Sequence, residues 1–221
     1  PVSASRRDIA PSISAAGWGP MLNYFRKQGI HGVGVTLSRA QARAGRKNGL
    51  DVHLMDCRAV RPDTFGTFDG VVSLGAFEHF CSLEDYKAGR QESLYKSFFE
   101  GVAQLLPKGG RFYLQTMVFG SRMIPAEEIS IDADRDSDSF MLARMQKMFP
   151  GSWLPYGLEQ LTRTSSPWFK VVSSSSGRTD YIETIRQWAR RFSQRTPKKM
   201  LLYATLAPRY FLDRNFRHAI G

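Results

Sequence analysis

Cysteine is almost missing from this chain of 221 residues: Cys57 and Cys81 are the only two. That excludes a disulfide scaffold and fits a reducing compartment. With four histidines and no Cys/His cluster along the chain, no zinc pattern is present and no metal is expected. No apolar run approaches the roughly 20 residues that span a bilayer. The N-terminus has no basic segment followed by an apolar one, the mark of a secretory leader. Internal repeats and long low-complexity tracts are also lacking. Acidic residues are in deficit, with 20 Asp and Glu against 31 Lys and Arg, which leaves a formal charge of +11. An excess of that size favours an anionic partner such as nucleic acid, an anionic membrane surface or a phosphorylated substrate. The one acidic run, Asp132, Asp134, Asp136 and Asp138, tempts a calcium reading. A calcium loop opening at Asp132 needs glycine sixth and glutamate twelfth, where the chain has Ser137 and Ala143. A solvated acidic loop fits better.

What is present is an ordinary globular composition, 42% apolar and 23% charged, long enough for one large domain. The stretch Phe68 to Phe80, FDGVVSLGAFEHF, is the most informative. A continuous apolar run reads as a buried parallel strand; it breaks at Gly75 and delivers Glu78 and His79 at its carboxyl end. Ligands bind beyond those ends in open α/β sheets. Residues 32–37 and 51–56 read as further strands, and 111–119 as another. Residues 91–106 form a helix with Leu94, Phe98, Val102, Leu105 and Leu106 on one face, stopped by Pro107 and Gly109-Gly110. A helix is also expected through Met21, Leu22, Tyr24 and Phe25, and Ser38 is a good N-cap for the next. The alternation implies a parallel sheet with right-handed crossovers. Residues 1–12 read as loop, 120–167 as a lid or insertion within a single domain spanning 1–221, 169–176 as a late strand, and Tyr181 to Phe192 as a helix leading into a basic tail.

Three loops follow successive strands: Thr36-Leu37-Ser38 with Gln41, Asp56-Cys57-Arg58, and Gly75 to His79. Their polar side chains suit an adenosine, with hydroxyls, an amine and apolar walls to satisfy. Singly, each has a simpler role: Ser38 a helix cap, Asp56 and Arg58 a surface ion pair, Gln41 a solvated residue. The turn Gly17-Trp18-Gly19, between a first strand and a helix, lets backbone approach a cofactor at a helix N-terminus.

In order along the chain, GVGVTLSRAQ, FDGVVSLGAFEHF, LLPKGGRFYLQTM, FPGSWLP and DYIETIRQW resemble the cyclopropane-fatty-acid synthase family, from about Gly17 to about Phe192. The resemblance implies a Rossmann-like class I methyltransferase fold, a mostly parallel doubly wound sheet with a lid. It implies S-adenosylmethionine as cofactor and methyl transfer to the double bond of an unsaturated phospholipid acyl chain. The product would be a cyclopropane or a methylene- or methyl-branched fatty acid. Gly17, Trp18 and Gly19 match the loop at the methionine part of the cofactor, Thr36, Leu37 and Gln41 the ribose loop, and Asp56, Cys57 and Arg58 the adenine loop. In the family a bicarbonate near the transferred methyl acts as general base, and Glu78 and Tyr181 match two of its ligands. A third ligand is a histidine in the family and is Gln115 here, with Met117 at a following isoleucine position. An amide hydrogen-bonds but does not titrate near neutral pH, so Gln115 is expected to retune the base site, towards methylenation. His79 reads as a packing or hydrogen-bonding residue, and Trp188 and Phe192 as core or pocket wall.

The first strand departs from the family pattern, since Pro11 to Ala16 is not apolar and lacks an acidic residue before the glycine loop. The family's N-terminal helical segment and last strand have no counterpart, so residues missing at both ends are expected, with a sixth strand left poorly paired. The basic tail, Arg186, Arg190, Arg191, Arg195, Lys198 and Lys199, fits attraction to anionic headgroups. The expected setting is cytoplasmic, peripheral at the inner membrane surface. No recognition motif supports nucleic acid, and a homodimer stays open. Two rival functions remain: a small-molecule N- or C-methyltransferase on the same scaffold, and a non-catalytic lipid-binding relative.

Overall fold

The computed structural model describes the backbone of residues 12–13 and residues 16–213 in full. Five parallel strands form one sheet in the order β3-β2-β1-β4-β5: β1 (Ser12–Ile13), β2 (Val33–Thr36), β3 (Asp51–Leu54), β4 (Gly70–Leu74) and β5 (Arg111–Gln115). Ser12 pairs with Val33 on one side and Val71 on the other, so the strand order reverses at β1. Such a reversal opens a crevice at the carboxyl edge of the sheet. The helices are α1 (Pro20–Lys27), α2 (Arg39–Lys47), α3 (Pro62–Phe65), α4 (Leu83–Lys87), α5 (Gln91–Gln104), α6 (Asp138–Met148), α7 (Gly157–Ser165), α8 (Arg178–Ser193) and α9 (Pro197–Leu212). Short 3-10 turns cover Cys57–Ala59, Phe77–His79 and Ala126–Glu128.

Neighbouring strand residues point to opposite faces, and the central strands pack an apolar cluster on each face, whereas on edge strand β5 Arg111, Tyr113 and Gln115 are exposed. Val72 faces a cluster of Ala16, Leu22, Phe25, Ala42, Leu50 and Val52, which seats α1 and α2. Val71 faces a larger cluster built around Phe77, Tyr95, Phe98, Phe99 and Trp153. The helical face expected over 91–106 is the one buried: Phe98, Val102 and Leu105 lie in the core, with Leu94 and Leu106 packed against it. Phe77 is fully buried, its ring centroid 4.5 Å from Tyr95, 5.1 Å from Phe98 and 5.5 Å from Phe99. Burying one such side chain is worth about 2–3 kcal/mol, and this one anchors the turn that carries Glu78.

Several expectations are corrected. Residues 169–176 are not a strand but irregular chain, with Val172 82% exposed. A strand needs a neighbour to satisfy its backbone, and four consecutive serines after Val172 offer no apolar face. The strand expected over 111–119 ends at Gln115. The first strand, unpromising in sequence, occupies the centre of the sheet, though for only two residues. Of the loop expected over 1–12, residues 1–11 lie outside the described residues and Ser12 belongs to β1. Helix α9 occupies the stretch that reads in sequence as a basic tail, and Thr196 accepting from Lys199 N and Pro197 in the first turn are ordinary start signals.

The chain divides into two compact units between Lys170 and Val171. The first holds the sheet and α1 to α7. The second holds α8 and α9, neither of which has a buried residue.

Candidate active site

Each loop at the carboxyl edge of the sheet is shaped by its own residues. After β1, Ala16 N donates to Val35 O at 2.8 Å and Gly19 N to Ala16 O at 2.9 Å, which closes the turn into α1. Gly17 and Gly19 have φ of 53° and 87°, in the region that disfavours a side chain. A Cβ on Gly19 would stand 2.5 Å from Leu50 Cδ1, whereas one on Gly17 would meet nothing within 4 Å. Gly17 therefore borders open space, with Trp18 exposed beside it.

After β2, the Thr36 hydroxyl donates to Gln41 Oε1 at 2.7 Å and accepts from Ser38 N at 3.1 Å. Ser38 Oγ accepts from Gln41 N at 3.3 Å, capping α2 as its sequence suggested. These bonds leave the Gln41 side-chain N–H groups without a partner among the described residues and Leu37 turned outward, 74% exposed. After β3, Asp56 caps the 3-10 turn by accepting from Arg58 N at 2.8 Å and pairs with the Arg58 guanidinium at 2.6 Å. The hydrogen bond from that guanidinium holds the Asp56 carboxyl below its usual range. Burial pushes the adjoining Cys57 thiol up to about 11, so it is neutral and unreactive at physiological pH.

The loops after β4 and β5 meet. Gly75 N donates to Gln115 O at 3.0 Å, continuing the register in which Leu74 faces Gln115. The next turn carries Glu78 inward until only 4% of it is exposed. Glu78 Oε1 accepts from Met117 N at 2.8 Å, and Oε2 is buried with no partner among the described residues. An unpaired buried carboxylate oxygen is costly, and it is suited to accept from the O–H of a small polar group. Met117 enters through its backbone, a contact that no side-chain pattern signals. His79 Nδ1 lies 2.6 Å from Ser152 Oγ, and Trp153 N donates to Cys81 O at 2.7 Å. The FPGSWLP segment is thus stitched to the turn bearing Glu78; the block stands out in the sequence, but Ser152 as its contact residue does not.

The sheet brings the loops holding Gly17, Trp18, Gly19, Thr36, Leu37, Ser38, Gln41, Asp56, Cys57, Arg58, Glu78 and Gln115 to one edge of the first unit. Tyr181 belongs to the second unit, in the first turn of α8, where it is exposed. The edge fits a nucleoside cofactor: open space at Gly17, unpaired donors on Gln41 and outward apolar side chains at Trp18 and Leu37. The orphaned Glu78 oxygen fits a small protic group such as bicarbonate. No group of three or more His, Cys, Asp or Glu among the described residues is arranged to hold a metal ion.

Residues 14–212 match the family model for mycolic acid cyclopropane synthetase. Cyclopropane mycolic acid synthase 3 of Mycobacterium tuberculosis is 29% identical over 178 residues, which cover 78% of this chain and 58% of that protein. Cyclopropane-fatty-acyl-phospholipid synthase of Escherichia coli K12 is 27% identical over 187 residues, 82% of this chain and 41% of that protein. The chain therefore spans less than two thirds of the length of either relative. Among solved structures, a mycolic acid cyclopropane synthase complexed with SAH (S-adenosylhomocysteine) and CTAB superposes with a TM-score of 0.59 at 24% identity, covering 84% of this chain and 63% of that one.

Proposed function

Since the chain belongs to the mycolic acid cyclopropane synthetase family, we propose that it is the cofactor-binding part of an S-adenosylmethionine-dependent methyltransferase acting on the double bond of an unsaturated phospholipid acyl chain. The observation that carries this reading is Glu78: a buried carboxylate at the carboxyl end of a central strand, with one oxygen pinned and the other unpartnered. When bound, the cofactor supplies an electrophilic methyl group.

The chain's own residues then have separate tasks. Gly17, Trp18 and Gly19 would hold the methionine end, with backbone rather than side chains. Thr36, Leu37, Ser38 and Gln41 would hold the ribose, the free Gln41 amide donating to a hydroxyl. Asp56, Cys57 and Arg58 would flank the adenine; the Arg58 pairing leaves Asp56 oriented and ionised. An alkene needs no deprotonation before it attacks, so the protein's task is to exclude water and to remove a proton afterwards. Glu78 Oε2 would orient the base by accepting the O–H of bicarbonate, with Gln115 of the same unit as a further proposed ligand; the role that the family resemblance gives Tyr181 stays an expectation from the sequence. Gln115 in this position would favour a methylene over a ring. The proposed partner besides the acyl chain is the anionic surface that presents it, which makes the parent protein peripheral at the inner membrane surface.

The test is lipid mass spectrometry on cells expressing the full-length parent, wild type and Glu78→Gln. The amide retains an acceptor for Met117 N, so the fold and S-adenosylhomocysteine binding are expected to persist in calorimetry. The gain of one CH2 on monounsaturated chains is expected to disappear. Wild-type product from Glu78→Gln would overturn the assignment, and purely cyclopropane product from the wild type, told from its equal-mass methylene isomer by proton NMR of the extracted lipid, would overturn the role given to Gln115.

A further inference from the structure

Glu78 sits in the middle of a 3-10 turn of three residues, held within itself only by His79 N to Ala76 O at 3.1 Å and Phe80 N to Phe77 O at 3.2 Å. So short a 3-10 segment has poor hydrogen-bond geometry and little stability of its own. What holds it comes from outside. On the near side Phe77 is locked in the aromatic core. On the far side the His79 ring meets Ser152 Oγ at 2.6 Å, from a residue 73 positions away. Ser152 is itself buried, and its carbonyl accepts from Gln146 Nε2 at 3.1 Å, so the grip is backed by α6.

We propose that Ser152 is a positioning residue for Glu78, acting through the ring of His79: the His79–Ser152 bond fixes the turn so that one Glu78 oxygen takes Met117 N–H while the other is left to serve the reaction. This rests on the role given to Glu78 above. Removing the bond leaves Phe77 in its core, so the turn stays in place but pivots about that anchor. The Glu78–Met117 bond at 2.8 Å is the contact most exposed to such a pivot. Displacements well below an ångström are enough to cost activity when a reacting group must be aimed. The bond Trp153 N to Cys81 O at 2.7 Å survives the loss, since it is made by backbone alone. The fold should therefore tolerate a change that the site does not.

The experiment uses the full-length parent with Ser152→Ala, His79→Phe and the double variant. Hydrogen exchange is expected to rise in peptides covering 76–81 and 115–119 in Ser152→Ala, with α5 unchanged. In turnover, kcat is expected to fall about tenfold with KM and S-adenosylhomocysteine affinity nearly unchanged. Because both single variants remove one bond, the double variant should lose no more than the worse single. Unchanged exchange in both peptides, or losses that multiply in the double variant, would overturn the proposal. The exchange readout needs no methyl acceptor. A wild type without methyl transfer, but with the exchange response in Ser152→Ala, would sink the proposed function and leave the positioning role standing.

Discussion

Gly17 and Gly19 look interchangeable in the sequence and are not interchangeable in the fold. Both have positive φ, but only Gly19 lies against a neighbour, where a side-chain Cβ would stand 2.5 Å from Leu50 Cδ1. Gly17→Ala should cost about 1 kcal/mol, the backbone strain alone. Gly19→Ala adds a clash to the strain and should cost about 2–4 kcal/mol; equal melting temperatures for the two variants would contradict this. The two thiols set a second expectation. Burial raises Cys57 and Cys81 alike from 9.0 to about 11. Between those values the unfolded chain has lost protons that the folded chain keeps, so stability present below pH 9 is lost as pH rises through about 11. Denaturant midpoints measured across that range should fall, and Cys57→Ser should flatten the fall. At this scale the sequence was legible where a side chain acts locally, as Ser38 does on α2, and silent where backbone acts, as Met117 N does on Glu78.

Among elements, the contact between α5, α7 and the segment leading into α7 is polar at its centre. Gln91 Nε2 donates to Leu154 O at 3.0 Å and Tyr95 OH at 3.1 Å, while Gln91 Oε1 accepts from Gln160 Nε2 at 3.0 Å. Gln160 Oε1 in turn accepts from Tyr156 N at 2.7 Å. Both glutamines are buried, so the amides satisfy backbone groups that would otherwise be stranded. Gln91→Leu keeps most of the volume and strands Leu154 O and Gln160 Nε2, while Tyr95 OH still donates to Trp153 O at 3.2 Å. It should lower unfolding stability by about 2–4 kcal/mol in urea, and a loss under about 1 kcal/mol would mean that water replaces the bonds. Periodicity revealed α5 because its apolar spacing is dense. It failed for 169–176, where Val171 and Val172 have the right chemistry and no strand beside them. Strand formation is a property of a pair, and one run of residues does not carry it.

For the whole molecule, the positive charge is unevenly placed. Residues 171–221 hold ten Lys or Arg against three Asp or Glu, so a net +7 of the total +11 lies in less than a quarter of the chain. In the same unit α8 and α9 expose Trp188, Phe192, Leu201, Leu202 and Phe211, and Lys199 stands 4.1 Å over the Phe192 ring. No described helix is long and apolar enough to cross a membrane, and a basic unit with outward aromatic residues suits an interface. Binding to anionic vesicles should weaken steeply with salt; equal binding to neutral vesicles would remove the case for an anionic surface. The fold class was legible from the strand and helix alternation, whereas the division at Lys170 was not: the basic charge rises beyond it, but Val171 and Val172 read as the start of a further strand of the same sheet. The four tryptophans are divided in another way. Trp18, Trp168 and Trp188 are 65%, 37% and 57% exposed, while Trp153 is fully buried and stacked on Tyr86 at 4.9 Å. A water-soluble quencher therefore darkens three indoles and spares the fourth. The blue-shifted emission that survives comes from the residue next to Ser152, which gives the protein a built-in optical gauge of the segment gripping its active turn.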